Sequence, residues 1–112
     1  MKTIAIISDL FFAAKIRTAA NALGAELYII KNKLELEKQL ENPEEIYKII
    51  VDLNFNKFDI FKILVELKKK DSIYMIGYLS HVQVDLRKKA EKYCDLVLSR
   101  SDFSARLPEL LS

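Results

Sequence analysis

Short apolar runs alternate with longer amphipathic segments along the whole chain. The runs are rich in β-branched residues and apolar at successive positions, which is typical of parallel strands buried on both faces. They lie at 3–8, 25–30, 46–51, 73–79 and 95–99. The segments between and after them are predicted as helices: 10–24, 32–42, 57–70, 84–93 and 101–111. Alternation of this kind indicates an α/β fold with a parallel sheet.

The length of the chain limits how these elements are arranged. Its 112 residues suit one domain, 1–112, with a single proper core. Because crossovers between parallel strands are right-handed, few topologies are available. We therefore expect the flavodoxin-like fold, a doubly wound five-stranded parallel sheet in the order 2-1-3-4-5 with helices on both faces.

Several residues predict where the helices begin and end. Gly24 is at the expected C-cap of the first helix, and Asn32 is a candidate N-cap of the second. The last helix could start at Ser101 or Ser104, but Pro108 would then fall inside it. We therefore expect that helix to be kinked or short.

Composition excludes several classes of function. The net charge of +2 and the single tight basic cluster, at 67–71, do not indicate a nucleic-acid-binding protein. With no signal peptide and no long apolar stretch, the sequence predicts a cytoplasmic protein without membrane contact. Cys94, the only cysteine, excludes an internal disulfide and is expected in the core. His81 is the only histidine, so a metal site of several histidines is excluded.

Two carboxylates follow the strands that flank the switch point of the predicted sheet. Asp9 follows strand one, and Asp52 ends strand three in the stretch "KIIVDLNF". Since these strands are neighbours in the order 2-1-3, the two side chains should lie close together at the ligand-binding edge. Paired carboxylates repel each other unless a cation lies between them, and Mg²⁺ prefers such oxygen ligands. The alternative is that Asp9 caps the first helix and Asp52 caps a loop.

These features resemble the receiver domain of response regulators (CheY-like proteins) over essentially the whole chain. "IISD" is similar to the acidic pair at the end of receiver strand one, with Ser8 in the first position and Asp9 in the second. "VDLNF" is similar to the D-x-N context of the phospho-accepting aspartate. "GYLSHV" provides Ser80 where receivers have a hydroxyl residue, although a second register places Leu79 there. Arg100 aligns with the lysine that ends receiver strand five.

The resemblance implies roles for these residues. Asp52 would be the phospho-acceptor, and Asp9, Asp52 and the Asn54 carbonyl would hold Mg²⁺. Ser80 would bond a phosphoryl oxygen, and Arg100 would replace the lysine. Ser8, Arg100 and Val97, which occupies the position of a common receiver aromatic, depart from the family pattern.

Three functions are compatible with this sequence. The first is a stand-alone, non-enzymatic receiver of two-component signalling, phosphorylated on Asp52 by a sensor histidine kinase or a phosphotransfer protein. It would act on a downstream protein through the helix 4–strand 5–helix 5 face, where Val82, Val84 and Leu86 start helix four, and a homodimer is a further option. The second is a degenerate pseudo-receiver, an interaction module that works without phosphorylation. The third, a small nucleotide or flavin binder, is disfavoured because "SDLFFAA" lacks a phosphate-cradling loop.

Overall fold

Five parallel strands form one sheet in the computed structural model, which describes residues 2–80 and 83–112. The strands are β1 (Lys2–Ile6), β2 (Glu26–Ile30), β3 (Ile46–Asp52), β4 (Tyr74–Leu79) and β5 (Leu96–Ser99). Their order in the sheet is β2-β1-β3-β4-β5, and every neighbouring pair is parallel. The predicted flavodoxin-like topology is therefore confirmed. The prediction that strand one extends to residue 8 is wrong, since β1 ends at Ile6.

Helices follow each strand. They are α1 (Leu10–Leu23), α2 (Lys33–Gln39), α3 (Ile60–Lys68), α4 (Val84–Glu91), α5 (Arg100–Ala105) and α6 (Leu107–Leu111), with a 3₁₀ turn at Pro43–Glu45. Gly24 ends α1 in the left-handed region, at φ 68°, as its predicted C-cap. The Asn32 side chain caps α2 by accepting from the backbone N–H of Glu35.

The chain after β5 folds into two short helices. Ser99 caps α5 by accepting from the backbone N–H of Asp102, so the predicted start at Ser101 or Ser104 is wrong. The helical path breaks at Arg106, and Pro108 lies in the first turn of α6. Backbone N–H groups in a first turn have no acceptor within the helix, so proline there costs no hydrogen bond. The expected interruption is thus confirmed.

Apolar side chains pack on both faces of the sheet. One cluster lies under α1, α5 and α6, and includes Phe12, Phe103 and Leu107. The other lies under α2, α3 and α4, and includes Leu36, Leu64 and Cys94. Burial raises the pKa of the Cys94 thiol to about 12, which fits the predicted core role.

Successive residues of β3 alternate between the two clusters. Ile49 and Val51 belong to the cluster under α2–α4, whereas Ile50 belongs to the cluster under α1, α5 and α6. Because strand side chains alternate with a period of two, Lys48 and Asp52 lie on the same face as Ile50. Asp52 therefore emerges between the sheet and the helices α1 and α5.

Candidate functional site

Asp52 is the last residue of the central strand β3. It is half-buried, and its Oδ1 atom accepts from the backbone N–H of Asn54 at 2.9 Å. Burial raises the pKa of the Asp52 carboxyl group, while the bond from Asn54 and the positive charge of Arg100 lower it. No residue within 2–80 or 83–112 donates a hydrogen bond to its Oδ2 atom. Oδ1 thus stabilises the loop after β3, and Oδ2 accepts no hydrogen bond from the described residues.

Asp9 is the N-cap of α1. Its Oδ1 atom accepts from the backbone N–H groups of Phe11 at 2.9 Å and Phe12 at 3.1 Å, and its Oδ2 atom accepts from Nη2 of Arg100. The bond from Arg100 is the main cause that lowers the pKa of the Asp9 carboxyl group, followed by the bond from Phe12. Asp9 is therefore held in its ionised form by three donors.

Arg100 is the first residue of α5, immediately beyond the end of β5. Its guanidinium lies 4.5 Å from the centre of the Phe12 ring, and it forms an ion pair with Asp9. Stacking on an aromatic face and a fixed fork of donors favour arginine over lysine for such a place. Sequence analysis expected Arg100 to replace the lysine that ends receiver strand five, and in this structure its hydrogen-bond partner is Asp9.

Asp9 and Asp52 influence each other electrostatically. The negative charge of Asp9 raises the pKa of Asp52, and the charge of Arg100 lowers it. The two carboxylates therefore share one region at the carboxyl edge of β1 and β3. The alternative interpretation also holds in part, because Asp9 caps α1 and Asp52 stabilises its loop.

Asn54 connects the loops that follow β3 and β4. Its Oδ1 atom accepts from both the backbone N–H and the hydroxyl of Ser80, at 3.1 and 3.0 Å, and its Nδ2 atom donates to Gln83 at 3.0 Å. Ser80 is exposed, whereas Leu79 is buried in the core. The hydroxyl predicted to bond a phosphoryl oxygen is thus engaged by Asn54, and sequence analysis missed this side-chain role of Asn54.

Three aromatic rings in mutual contact lie on the same face as Asp52. The Tyr78 ring is 4.8 Å from that of Phe103, with 20° between their planes, and 5.0 Å from that of Phe12. Tyr78 is 2% exposed, and its hydroxyl has no hydrogen-bond partner in the described part of the chain. Burial, and then the negative charge of Asp52, raise the pKa of this phenol. Sequence analysis gave Tyr78 no role in the site; its place near the end of β4, opposite Asp52 in the strand register, was the available signal.

The oxygen donors of this site have the chemistry that Mg²⁺ requires. Two carboxylates and the Asn54 carbonyl are hard ligands of the preferred kind. However, Arg100 already neutralises Asp9, and Ser8 provides no second acid beside it. Residues 2–80 and 83–112 contain no group of three or more His, Cys, Asp or Glu side chains that could hold a metal. A magnesium ion would therefore have to compete with Arg100 for Asp9.

A groove of about 690 Å³ lies next to this site, between α4 and the start of α5. Phe12, Ser80 and Arg100 border both the groove and the candidate site. Val84 is 55% exposed at its rim, whereas Leu86 packs against the core, and Val82 lies outside the described residues. Of the described helices, none is long and apolar enough to cross a membrane.

Comparison with solved structures identifies the fold. The chain matches a response regulator from Burkholderia pseudomallei with a phosphorylated aspartic acid and a calcium ion, at TM-score 0.78 and 19% identity, over 100% of this chain and 67% of that one. It matches a receiver domain from Clostridium thermocellum at TM-score 0.75 and 20% identity, over 99% and 94% of the two chains. It also matches the dimeric, beryllofluoride-activated NtrC4 receiver domain at TM-score 0.74 and 14% identity, over 98% and 95%.

No family model and no curated protein sequence matches the chain. The structural matches cover the chain from end to end, so its fold is that of CheY-like receiver domains. The predicted resemblance is confirmed at the level of the fold.

Proposed function

We propose that this chain is a signalling module of the receiver type, which accepts a phosphoryl group on Asp52 and acts through protein contacts. The observation that carries the proposal is the position of Asp52. It ends the central strand at the switch point of the sheet, half-buried and within the fields of Asp9 and Arg100. The full-length likeness to receiver structures, one of which holds a phosphorylated aspartate, supports the same assignment.

The reaction needs a carboxylate nucleophile. An Asp52 oxygen would attack the phosphorus atom of a phosphohistidine or an acyl phosphate, and the P–N or P–O bond would break with its electron pair leaving on the donor. The bond from Asn54 supports this role because it favours the ionised form of Asp52 and holds Oδ1 in place.

Charge on the phosphoryl oxygens would be neutralised by cations. Asp9, Asp52 and the Asn54 carbonyl would hold Mg²⁺, which when bound would supply positive charge next to the phosphoryl group. Arg100 is a second cation in the same region. The Ser80 hydroxyl would have to exchange Asn54 for a phosphoryl oxygen.

Intact-mass measurement tests the proposal. The protein is incubated with acetyl phosphate, with and without Mg²⁺, and we expect a gain of one phosphoryl group. Asp52→Asn should abolish that gain, while Asp71→Asn, at an exposed position, should keep it. A gain that persists in Asp52→Asn would place the modification elsewhere and contradict the proposal.

A second candidate function is an interaction module that works without phosphorylation. The ion pair between Arg100 and Asp9 favours it, because a cation of the chain itself already neutralises the predicted metal ligand. An unmodified wild-type mass, with unchanged circular dichroism, would support this function instead.

Two apolar side chains next to Asp9 suit contact with a phosphodonor protein. Leu10 is 66% exposed and Phe11 is 91% exposed at the start of α1. A kinase or phosphotransfer protein must approach Asp52 closely, so an apolar patch beside it is a reasonable docking surface. Phe11→Ser should slow transfer from such a protein and leave acetyl phosphate labelling unchanged. Leu34→Ser, at a 75% exposed position of α2, is the matched control. Equal slowing with both donors would mean that Phe11 acts on the site itself.

The groove beside α4 and α5 suits a downstream partner. It is continuous with Ser80 and Arg100, so a change at the site would alter its wall. Exposed Val84 gives the groove an apolar rim, and Arg87, Lys88 and Glu91 add charged side chains of both signs to its lining. A second copy of the chain is one such partner, and sedimentation before and after phosphorylation would detect it.

A further inference from the structure

Tyr78 presents an unusual combination of burial and incomplete hydrogen bonding. The residue is 2% exposed, and its hydroxyl finds no partner among residues 2–80 and 83–112. A buried hydroxyl without a partner destabilises a folded protein, and phenylalanine would fill the same space without that cost. The other two rings of the cluster, at Phe12 and Phe103, are phenylalanines. Packing alone therefore does not account for a tyrosine at this position.

The position of Tyr78 relates it to the candidate site. Tyr78 is paired with Asp52 in the register between β3 and β4, so the two side chains leave adjacent strands on the same face. The phenol lies within the fields of three charged groups, Asp52 foremost, followed by Arg100 and Asp9. Ile7, just beyond β1, and Leu98 of β5 belong to the same cluster as Tyr78 and are aliphatic, whereas Tyr78 carries a hydrogen-bond donor on its side chain.

Two neighbouring rings hold the Tyr78 ring in place. Phe103 lies nearly parallel to Tyr78 at 4.8 Å, and Phe12 packs against it at 5.0 Å beneath the guanidinium of Arg100. A donor fixed in this way loses little conformational entropy when a partner arrives. Burial also keeps the phenol protonated, so that it remains a donor rather than an acceptor anion.

We infer that the Tyr78 hydroxyl donates a hydrogen bond to one phosphoryl oxygen once Asp52 is phosphorylated. This inference rests on the proposed function. It adds to it a phosphoryl-binding residue on the buried side of the site, opposite the exposed Ser80. The modified state would then satisfy a polar group that the unmodified state leaves without a partner, so phosphorylation would tighten the packing between β4, α1 and α5.

The experiment compares wild type with Tyr78→Phe and with the control Tyr93→Phe. Tyr93 packs against Phe61 on the opposite face of the sheet, so its hydroxyl is remote from Asp52. Isothermal titration with beryllofluoride and Mg²⁺ measures affinity for a phosphoryl mimic, and urea unfolding measures the stability of the unmodified proteins. Since the chain has no tryptophan, its near-ultraviolet difference spectrum reports tyrosine directly.

We expect Tyr78→Phe to weaken beryllofluoride binding about tenfold or more, because it removes one hydrogen bond to a charged group. The unmodified variant should be as stable as wild type or more stable, and the tyrosine difference spectrum on binding should be lost. Tyr93→Phe should leave the affinity and the spectrum unchanged.

Each other outcome has a definite meaning. Equal binding by wild type and Tyr78→Phe overturns the inference and leaves the proposed function standing. Weaker binding together with a less stable unmodified Tyr78→Phe also overturns it, because the hydroxyl would then be a structural group of the resting fold. Wild type that neither binds beryllofluoride nor gains a phosphoryl group overturns both.

Discussion

Two charged side chains on the same face of β3, Lys48 and Asp52, are four residues apart and have opposite surroundings. Lys48 is 6% exposed, and its ammonium group donates to the carbonyl oxygens of Leu110 and, at 3.4 Å, Ser112 at the end of α6. Asp52 is less buried, and the described chain engages only one of its oxygens. Burial acts against both charges, lowering the pKa of Lys48 and raising that of Asp52.

The difference is between a charge that the fold compensates and one that it compensates only in part. The carbonyl groups at a helix C-terminus attract a cation, so Lys48 is compensated by the fold itself and fixes α6 against the sheet. The charge of Asp52 is compensated only in part. Of the groups near it, Arg100 is paired with Asp9, and the Tyr78 hydroxyl has no hydrogen-bond partner within the described residues. Incomplete compensation of a half-buried charge is consistent with the proposed function, in which Asp52 binds a ligand.

The largest effect is expected at Lys48. Lys48→Met should lower the free energy of unfolding by about 1–3 kcal/mol, because the last carbonyl groups of α6 lose a charged donor inside the protein. Urea denaturation measures the change, and Lys57→Met, at an exposed position, should have little effect. Unchanged stability in Lys48→Met would mean that desolvating the ammonium group costs as much as its bonds contribute, and the contrast with Asp52 would fail.

Asp52→Asn should have the opposite sign. Removing a half-buried carboxylate that Asp9 repels is expected to raise the free energy of unfolding at pH 7 by about 0.5–1 kcal/mol, the usual gain when a strained functional group is replaced. The effect of pH on the free energy of unfolding follows from the raised pKa of Asp52. A raised pKa means that ionised Asp52 reduces stability above its folded pKa, and that this reduction disappears as the pH falls toward 3.8. If Asp52→Asn were less stable than Asp71→Asn, the stability gained from the hydrogen bond between Asn54 and Asp52 would exceed the cost of burying the Asp52 charge.

The fold could be predicted because its information is local. Each apolar run is long enough for one buried strand, and Gly24 and Asn32 mark helix ends by their own backbone and side-chain preferences. The placement of Asp9 and Asp52 followed from strand order alone. Which hydrogen bonds these residues make did not follow. The hydrogen bond from Arg100 to Asp9 depends on α5 beginning at Arg100, with Ser99 as its N-cap. The sequence analysis predicted a later start for this helix.

Tyr78 is a second residue whose hydrogen bonding could not be predicted from the sequence. Its place in a strand was predictable, but the absence of a partner for its hydroxyl among the described residues depends on how Phe12 and Phe103 close around the ring. Pairings between side chains that are distant in sequence are decided by packing, and such pairings define this site.

The smallest expected effect concerns the pKa values at the site. Arg100→Met should raise the pKa of Asp9, which loses its strongest hydrogen bond, and also that of Asp52, which loses a nearby positive charge. The stability that ionised Asp9 contributes is complete above pH 3.8 and is lost as the pH falls through its lowered folded pKa. In the variant this loss still begins near pH 3.8, but it is smaller and is complete at a higher pH, because the folded pKa is less depressed.

Carbon-detected NMR titration of the aspartate carboxyl groups measures both values, and Arg100→Lys is the control that keeps the charge. If the pKa of Asp52 stayed constant in Arg100→Met while that of Asp9 rose, Arg100 would serve only as the counter-ion of a helix cap. Asp52 would then lack a cation from the chain, and phosphorylation would depend on Mg²⁺ alone. If both values rose, Arg100 would already act on Asp52 from its position beside Asp9, as a group that could turn to a phosphoryl oxygen without a large movement of the backbone.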